Sequence, residues 1–269
     1  MKPFLKAIFF LAILTILDFL LRKGFIAVFL PFSFPHEVTF LFMFSLFTLC
    51  SWLITKQFCK RDGISMHDLG ISLNARNRFD FMWGFLIGVL LWAIVSIVQS
   101  VSAGFSWVLR PDVNLFNIIY GLVFIFIADL GTELYTRGYP LTRFKDSFGA
   151  ISAIIIMVFF VGLKSFSFEA QGELLMYIIL IPALHTVFFS IIYFKTKRLG
   201  AAVGVHTGAN FVTISIFDLR VEQSGQPIPA GIFQSSVELE SLSLTALQLP
   251  YVIIALLFSV AVYVWWTKK

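Results

Sequence analysis

The stretch NLFNIIYGLVFIFIADLGTELYTRGYP, residues 114–140, is an apolar run long enough to span a bilayer, and it ends in three charges spaced by four. Asp129, Glu133 and Arg137 share one helical face at ~100° per residue, and Thr132 lies beside them. Each unpaired charge at the centre of a span costs roughly 2.5–3.5 kcal/mol on insertion scales. The face must therefore point to protein or water. It predicts a polar site inside the membrane, with a purely structural Glu133–Arg137 ion pair as the alternative.

The composition predicts an all-α polytopic membrane protein. The chain of 269 residues is 59% hydrophobic and only 13% charged, which a soluble domain could not bury. Windows of about 20 apolar residues predict about eight transmembrane helices. These windows are 4–21, 38–55, 81–103, 114–137, 149–166, 174–194, 199–217 and 247–266.

The basic residues predict the orientation of these helices. Of the 20 lysines and arginines, 14 fall at the termini and in the loops of one side. The positive-inside rule then puts both termini in the cytoplasm, with the first span uncleaved. Because the basic residues are spread over several short loops, nucleic-acid binding is not expected, whereas contact with lipid headgroups is.

The remaining segments predict connections rather than further domains. The segment 24–34 is too short to span and predicts an interfacial or re-entrant piece. The loop 61–81 predicts a short surface helix before the third span. The longest polar stretch, 218–243, is interpreted as a solvated connection, with a lid or partner-binding loop as the alternative. No metal site is predicted, because HEVTF at 36–40 lacks the second histidine of a zinc motif.

A lysine inside the fifth span is expected to need a carboxylate. A hairpin turning near Gly149 would bring Glu133 and Lys164 to the same depth, roughly 23 Å from the turn at ~1.5 Å per residue. We therefore expect Asp129 or Glu133 to pair with Lys164.

The seventh span, GAAVGVHTGANF at 200–211, carries two different faces. One face repeats glycine every fourth residue, a pattern that lets helices approach closely. These glycines are Gly200, Gly204 and Gly208. His206 and Asn210 lie on a stripe of their own, directed elsewhere. His185, in the sixth span, is a further polar group whose direction the sequence leaves open.

Three short motifs, in order, resemble the CPBP family of intramembrane peptidases, which includes type II CAAX prenyl endopeptidases. The family patterns EExxxR, FxxxH and HxxxN correspond to TELYTR (132–137), FVGLK (160–164) and HTGAN (206–210). The resemblance implies a four-helix core among about eight transmembrane helices. It divides the chain into N-terminal helices, the core, and an outer loop with a last helix. These parts are 1–67, 68–217 and 218–269.

The resemblance also implies roles for these residues and shows two departures. The matching positions are Glu133, Arg137, His206 and Asn210. The resemblance implies that His206 and Asn210 stabilise an oxyanion and that Glu133 and Arg137 are more structural. We take Glu133, His206 and Asn210 as the candidate catalytic residues, because Glu133 could still form part of a rearranged base. The two positions implied to activate water are occupied by Thr132 and Lys164. Threonine is no base near neutral pH, and lysine is one only when neutral.

Three functions follow from this pattern. The first is a catalytically degenerate family member that binds a membrane peptide or protein partner. The second is an active, cofactor-independent endopeptidase with a rearranged base, supplied by Asp129 or by Glu133 with His185. The third is a transporter-like protein that uses the intramembrane charges as an ion path. The family's range implies a prokaryotic plasma membrane.

Overall fold

The predicted membrane fold is confirmed in a computed structural model. The structure describes residues 2–25, 35–166, 170–218 and 231–268. Most of the segment 24–34, and residues 219–230 of the polar stretch 218–243, lie outside these ranges. Among the described residues, seven helices are long and apolar enough to cross a membrane, and an eighth, shorter apolar helix lies at 150–165.

The helices follow the predicted spans, and three of them are followed by a π-helical turn. The bounds are α1 Pro3–Leu20, α2 His36–Arg61, α3 Ala75–Ala103, α4 Leu115–Glu133, α5 Tyr139–Phe148, α6 Ala150–Ser165, α7 Gly172–Thr196, α8 Leu199–Asn210 and α9 Leu244–Thr267. The π-helical turn Leu134–Gly138 joins α4 to α5, and Phe211–Ile216 continues α8. A further π-helical turn, Leu21–Phe25, ends α1.

Helix α8 lies at the centre of the bundle and packs on α3 by its glycine face. Its span is 67% buried, against 22–44% for the other long helices. A Cβ on Gly204 would lie 2.2 Å from the carbonyl oxygen of Phe81, and one on Gly200 or Gly208 would lie 2.3 Å from other α3 carbonyls. Gly84 of α3 meets the α8 backbone in the same way, at 2.5 Å. The two helices therefore touch backbone to backbone, as the glycine spacing predicts.

Both termini and the basic loops gather at one end of the bundle. Asp62, which follows α2, pairs with Lys6 of α1 and lies 3.7 Å from Arg143 of α5. Lys195 at the end of α7 donates to the carbonyl of Lys268, 2.6 Å away. We call this the basic end.

A small sheet, which the sequence reading did not predict, lies at the other end. Strand β1 (Trp107–Leu109) follows α3, β2 (Phe217–Asp218) follows α8, and β3 (Phe233–Ser235) precedes α9. Strand β3 is central, antiparallel to β1 and parallel to β2. The strands are too short for period-two alternation to be visible in the sequence.

The connections at the basic end give one correction and one confirmation. The predicted surface helix within 61–81 is not a separate element, because residues 62–74 form turns and irregular loop and the helical residues from Ala75 onward are the start of α3. The Asn74 side chain accepts a hydrogen bond from the backbone of Asn77 at 2.8 Å and caps α3 there. The predicted turn at Gly149 is present, because its φ of 84° breaks the helix between α5 and α6.

Candidate functional site

Two helices bring two polar pairs together inside the bundle. Helices α4 and α8 run antiparallel, and each carries two polar residues four apart. His206 Nδ1 lies 2.8 Å from Glu133 Oε1, and Asn210 Nδ2 donates to Asp129 Oδ1 at 2.8 Å. The equal spacing keeps both pairs in register. We call these four residues the carboxylate cluster.

Both ring nitrogens of His206 are turned to carboxylates. Its Nε2 lies 3.5 Å from Asp129 Oδ1, on the side away from Glu133. With Arg137 cationic, two ionised carboxylates leave one negative charge, which a second proton on His206 would balance. The imidazole can thus hold a proton between two acceptors.

Arg137 stands at the inner edge of the cluster. Its Nη1 donates to Glu133 Oε1 at 3.1 Å and to Thr136 Oγ1 at 2.6 Å. The guanidinium also lies over the ring of Phe189, 5.2 Å from its centroid. Because the π-helical turn begins directly after Glu133, the helix is widened at the residue where the ion pair forms. The predicted Glu133–Arg137 pair is therefore present and buried.

Aromatic rings from α7, α3 and α9 close the cluster. The ring of Phe189 packs on His206 with 4.8 Å between centroids. His185 also points inward, since its ring lies 6.2 Å from that of His206 and its Nε2 meets the hydroxyl of Tyr251. Trp92 packs against His185 at 5.7 Å. Sequence reasoning missed these three aromatic residues, because 17% of the chain is aromatic and no spacing distinguishes these rings.

The residues at the two departures do not join the cluster. Thr132 donates its hydroxyl to the carbonyl of Ala128 at 3.0 Å, one turn back on α4. Lys164 pairs with Asp18 of α1, with Nζ 3.1 Å from Oδ2. Its ammonium also lies 4.4 Å from the ring centroid of Tyr135. The expectation that Asp129 or Glu133 would pair with Lys164 is therefore wrong.

The partner of Lys164 had a signal in the sequence. Asp18 is a lone carboxylate near the end of the first apolar span, where it requires a cation as much as Lys164 requires an anion. Arg22 also pairs with it, at 2.9 Å. Lys164 pairs with Asp18 because α1, which carries Asp18, packs beside the π-helical turn that carries Tyr135. Thr15 of α1 hydrogen bonds with the hydroxyl of Tyr135 at 2.5 Å.

The cluster keeps acceptor atoms that the described residues do not satisfy. Oδ2 of Asp129 and Oε2 of Glu133 are buried and accept no hydrogen bond from the described part of the chain. A buried acceptor left unsatisfied costs about 1–3 kcal/mol, and more when it is charged. The side chain of His206 is 14% exposed, whereas that of Glu133 is fully buried. A ligand would therefore reach His206 first.

Comparison with known proteins relates the middle of the chain to a family. Residues 114–212 match the family model described as type II CAAX prenyl endopeptidase Rce1-like. That segment runs from the start of α4 into the π-helical turn after α8 and contains all four residues of the carboxylate cluster. Neither the curated proteins nor the solved structures contain a significant match. Residues 114–212 are therefore similar to the Rce1-like family, which is a family of polytopic membrane proteins.

Proposed function

We propose that this protein is a catalytically silent member of its family that binds a membrane-embedded peptide or protein segment at the carboxylate cluster. The observation that carries the proposal is the position of the two departures. Thr132 uses its hydroxyl on its own helix, and Lys164 is held by Asp18. Neither side chain is available to deprotonate a water molecule beside Glu133, a step that peptide hydrolysis requires.

The state of His206 supports the same conclusion. Both of its ring nitrogens face carboxylates, at 2.8 and 3.5 Å. An imidazole that holds protons on both nitrogens is a donor and cannot accept one from water. Asn210 remains suited to hold a carbonyl oxygen, because its amide nitrogen has two N–H groups and donates one of them to Asp129.

The unsatisfied carboxylate oxygens support binding of a hydrogen-bond donor. Oδ2 of Asp129 and Oε2 of Glu133 are both buried acceptors. Backbone N–H groups of an extended or unwound peptide segment would satisfy them and would themselves be satisfied, which matters in a bilayer. His206 and Asn210 are partly exposed and mark the accessible side of the cluster.

The second candidate is an active, cofactor-independent endopeptidase with a rearranged base. The 2.8 Å contact between Glu133 Oε1 and His206 Nδ1 favours it, since a carboxylate–imidazole pair is a common general base. His185, whose ring lies 6.2 Å from that of His206, would be a further proton acceptor. In this alternative Asn210 would stabilise the oxyanion.

One experiment separates the two functions. Purified protein in lipid vesicles is mixed with a library of membrane-tethered peptides that carry a photo-crosslinker, and both cleavage and crosslinking are measured. We expect crosslinking without cleavage, and Glu133→Gln should reduce crosslinking. Gly162→Ala, on α6 and away from the cluster, is the matched control.

Each other outcome decides against the proposal. Cleavage that is lost in Glu133→Gln would establish the endopeptidase. A library that is neither cut nor crosslinked would reject both functions. Under the silent-member proposal, cleavage should appear only when Thr132→Glu and Lys164→His are combined, because each restores one of the two positions implied to activate water.

The membrane setting completes the proposal. Both termini lie at the basic end, which faces the cytoplasm under the positive-inside rule. We assign the protein to a prokaryotic plasma membrane, where lipid surrounds the apolar outer faces of the helices.

A further inference from the structure

An apolar cavity of about 420 Å³ lies between α2, α3, α4 and α8, near the basic end. Its floor includes Trp52, Phe126, Leu130 and Val203. None of its lining residues belongs to the carboxylate cluster. The volume falls within the ~300–1,000 Å³ typical of ligand sites.

The mouth of this cavity carries one unpaired cation. Arg78 lines the mouth and is exposed, and it forms no ion pair within the described residues. The other two arginines nearby are both engaged, because Arg76 lies 3.6 Å from Asp80 and Arg198 pairs with the same carboxylate. A free guanidinium therefore stands at the edge of an apolar space.

The neighbouring surface shows that the mouth opens at the membrane interface. Leu73 is 86% exposed and Trp83 is 53% exposed, on either side of Arg78 along the chain. Exposed apolar side chains of this size next to an arginine indicate contact with a bilayer. An aromatic and arginine mixture is typical of the headgroup region.

We propose that this cavity holds one acyl chain of an anionic phospholipid, whose phosphate is bound by Arg78. An acyl chain has no polar groups to satisfy, whereas a protein segment would leave backbone amides unpaired against apolar walls. The unpaired cation selects an anionic headgroup over a zwitterionic one. A guanidinium suits this role, since it binds phosphate oxygens through two parallel hydrogen bonds.

The lipid would pack against α4 and α8, the two helices that carry the carboxylate cluster. Phe126 precedes Asp129 by three residues on α4, and Val203 precedes His206 by three residues on α8. The cavity floor and the cluster are therefore neighbouring faces of the same two helices. The lipid site does not depend on whether the protein cleaves peptides.

Trp52 allows a direct test with the full chain. The protein is reconstituted in phosphatidylcholine vesicles that contain a small fraction of phosphatidylglycerol or phosphatidylcholine with brominated acyl chains. Bromine quenches a nearby indole, and the Trp52 signal is the difference between the wild type and Trp52→Phe. We expect brominated phosphatidylglycerol to quench Trp52 at about one fifth of the concentration that phosphatidylcholine requires, the preference that one basic residue gives.

Two variants of equal charge decide the assignment. Arg78→Gln should abolish the preference for phosphatidylglycerol, whereas Arg76→Gln, two residues away and outside the cavity lining, should retain it. Equal quenching by both lipids in the wild type would overturn the proposal. Equal loss in both variants would also overturn it, since it would indicate a diffuse basic surface.

Discussion

At the residue scale, the chain separates its intramembrane charges into two groups on different helices. Asp129 and Glu133 face α8. There Asp129 accepts a hydrogen bond from Asn210, and Glu133 contacts His206. Lys164 instead belongs with Asp18 and with the ring of Tyr135. Each group contains both signs of charge, which lowers the cost of its burial. Lys164 stands at a position that the family resemblance links to water activation. Here it attaches α1 to α6 through Asp18.

A double-mutant cycle tests the partner of Lys164. Lys164→Met and Asp18→Asn should each lower the thermal stability in detergent, because the first removes one of the two cations beside Asp18 and the second removes the carboxylate that pairs with Lys164. Together they should show a coupling of about 1 kcal/mol, the scale of polar contacts between membrane helices.

The control cycle uses Lys164→Met with Glu133→Gln. These changes should be additive within about 0.5 kcal/mol, as for residues without contact. Coupling in this second cycle, with none in the first, would mean that Lys164 belongs to the carboxylate cluster.

At the element scale, the contact between α3 and α8 sets the position of the cluster. Helix α8 carries His206 and Asn210 on one face and is held by glycines on another. Because backbone meets backbone there, no side chain can adjust to absorb an added atom. The positions of His206 and Asn210 therefore depend on the close contact that the glycines make with α3.

Gly204→Ala tests this dependence. An added Cβ would lie 2.2 Å from the carbonyl oxygen of Phe81, so the helices must separate. We expect a loss of at least ~1–3 kcal/mol of stability, as for overpacked cores, measured by thermal unfolding in detergent.

Gly162→Ala is the matched control within a helix. Its Cβ would meet only the side chain of Ile179, at 3.5 Å, an ordinary contact. Alanine in a helix is favoured over glycine by roughly 0.5–1 kcal/mol, so stability should be kept or raised. Equal effects of the two substitutions would show that the α3–α8 contact is looser than described.

At the scale of the whole molecule, charged contacts at the basic end connect helices that are distant in sequence. Asp62 joins α1 through Lys6 and α5 through the hydroxyl of Tyr139, which donates to it at 2.8 Å. Burial opposes ionisation of Asp62, but the hydrogen bonds from Lys6 and Tyr139 and the charge of Arg143 outweigh it and lower its pKa below the usual value. The carboxylate therefore stabilises the fold in its ionised form.

The sign of this shift predicts a pH dependence. The contribution of Asp62 is present above its unfolded pKa of about 3.9 and is lost as the pH falls through the lower folded value. Asp62→Asn should therefore lower the melting temperature at pH 7, and the gap to the wild type should narrow below about pH 4.

Asp146→Asn provides the control, because this carboxylate also contacts Arg143, at 3.0 Å, but is 42% exposed. It should change the melting temperature little at either pH. If the difference in melting temperature between the wild type and Asp62→Asn does not change with pH, the charge of the carboxylate does not contribute and only its packing does.

Cysteine labelling tests the proposed orientation. In a background with Cys50→Ser and Cys59→Ala, single cysteines replace Lys197 at the basic end or Asp112 near the sheet. An impermeant maleimide applied to intact cells should label the cysteine at 112 and not the one at 197. The reverse pattern would mean that the orientation is inverted, and labelling of both would contradict the three crossings predicted between the two sites.

The sequence by itself determined the eight apolar spans, the turn at Gly149 and the direction of the polar faces on the fourth and seventh spans. Apolar length and helical periodicity are local properties, and they are set by residues a few positions apart. The spacing of four in Asp129–Glu133 and in His206–Asn210 was enough to define two matching stripes. The glycine repeat on α8 likewise predicted a close helix contact.

The tertiary structure alone decided which stripes meet. Periodicity fixes the direction of a side chain about its own helix axis, but it carries no information about which helix lies in that direction. For this reason Lys164 met Asp18 and not Glu133, and Tyr251 reached His185 from the last helix. The three short strands also came together only because α3, α8 and α9 end or begin at the same face of the bundle.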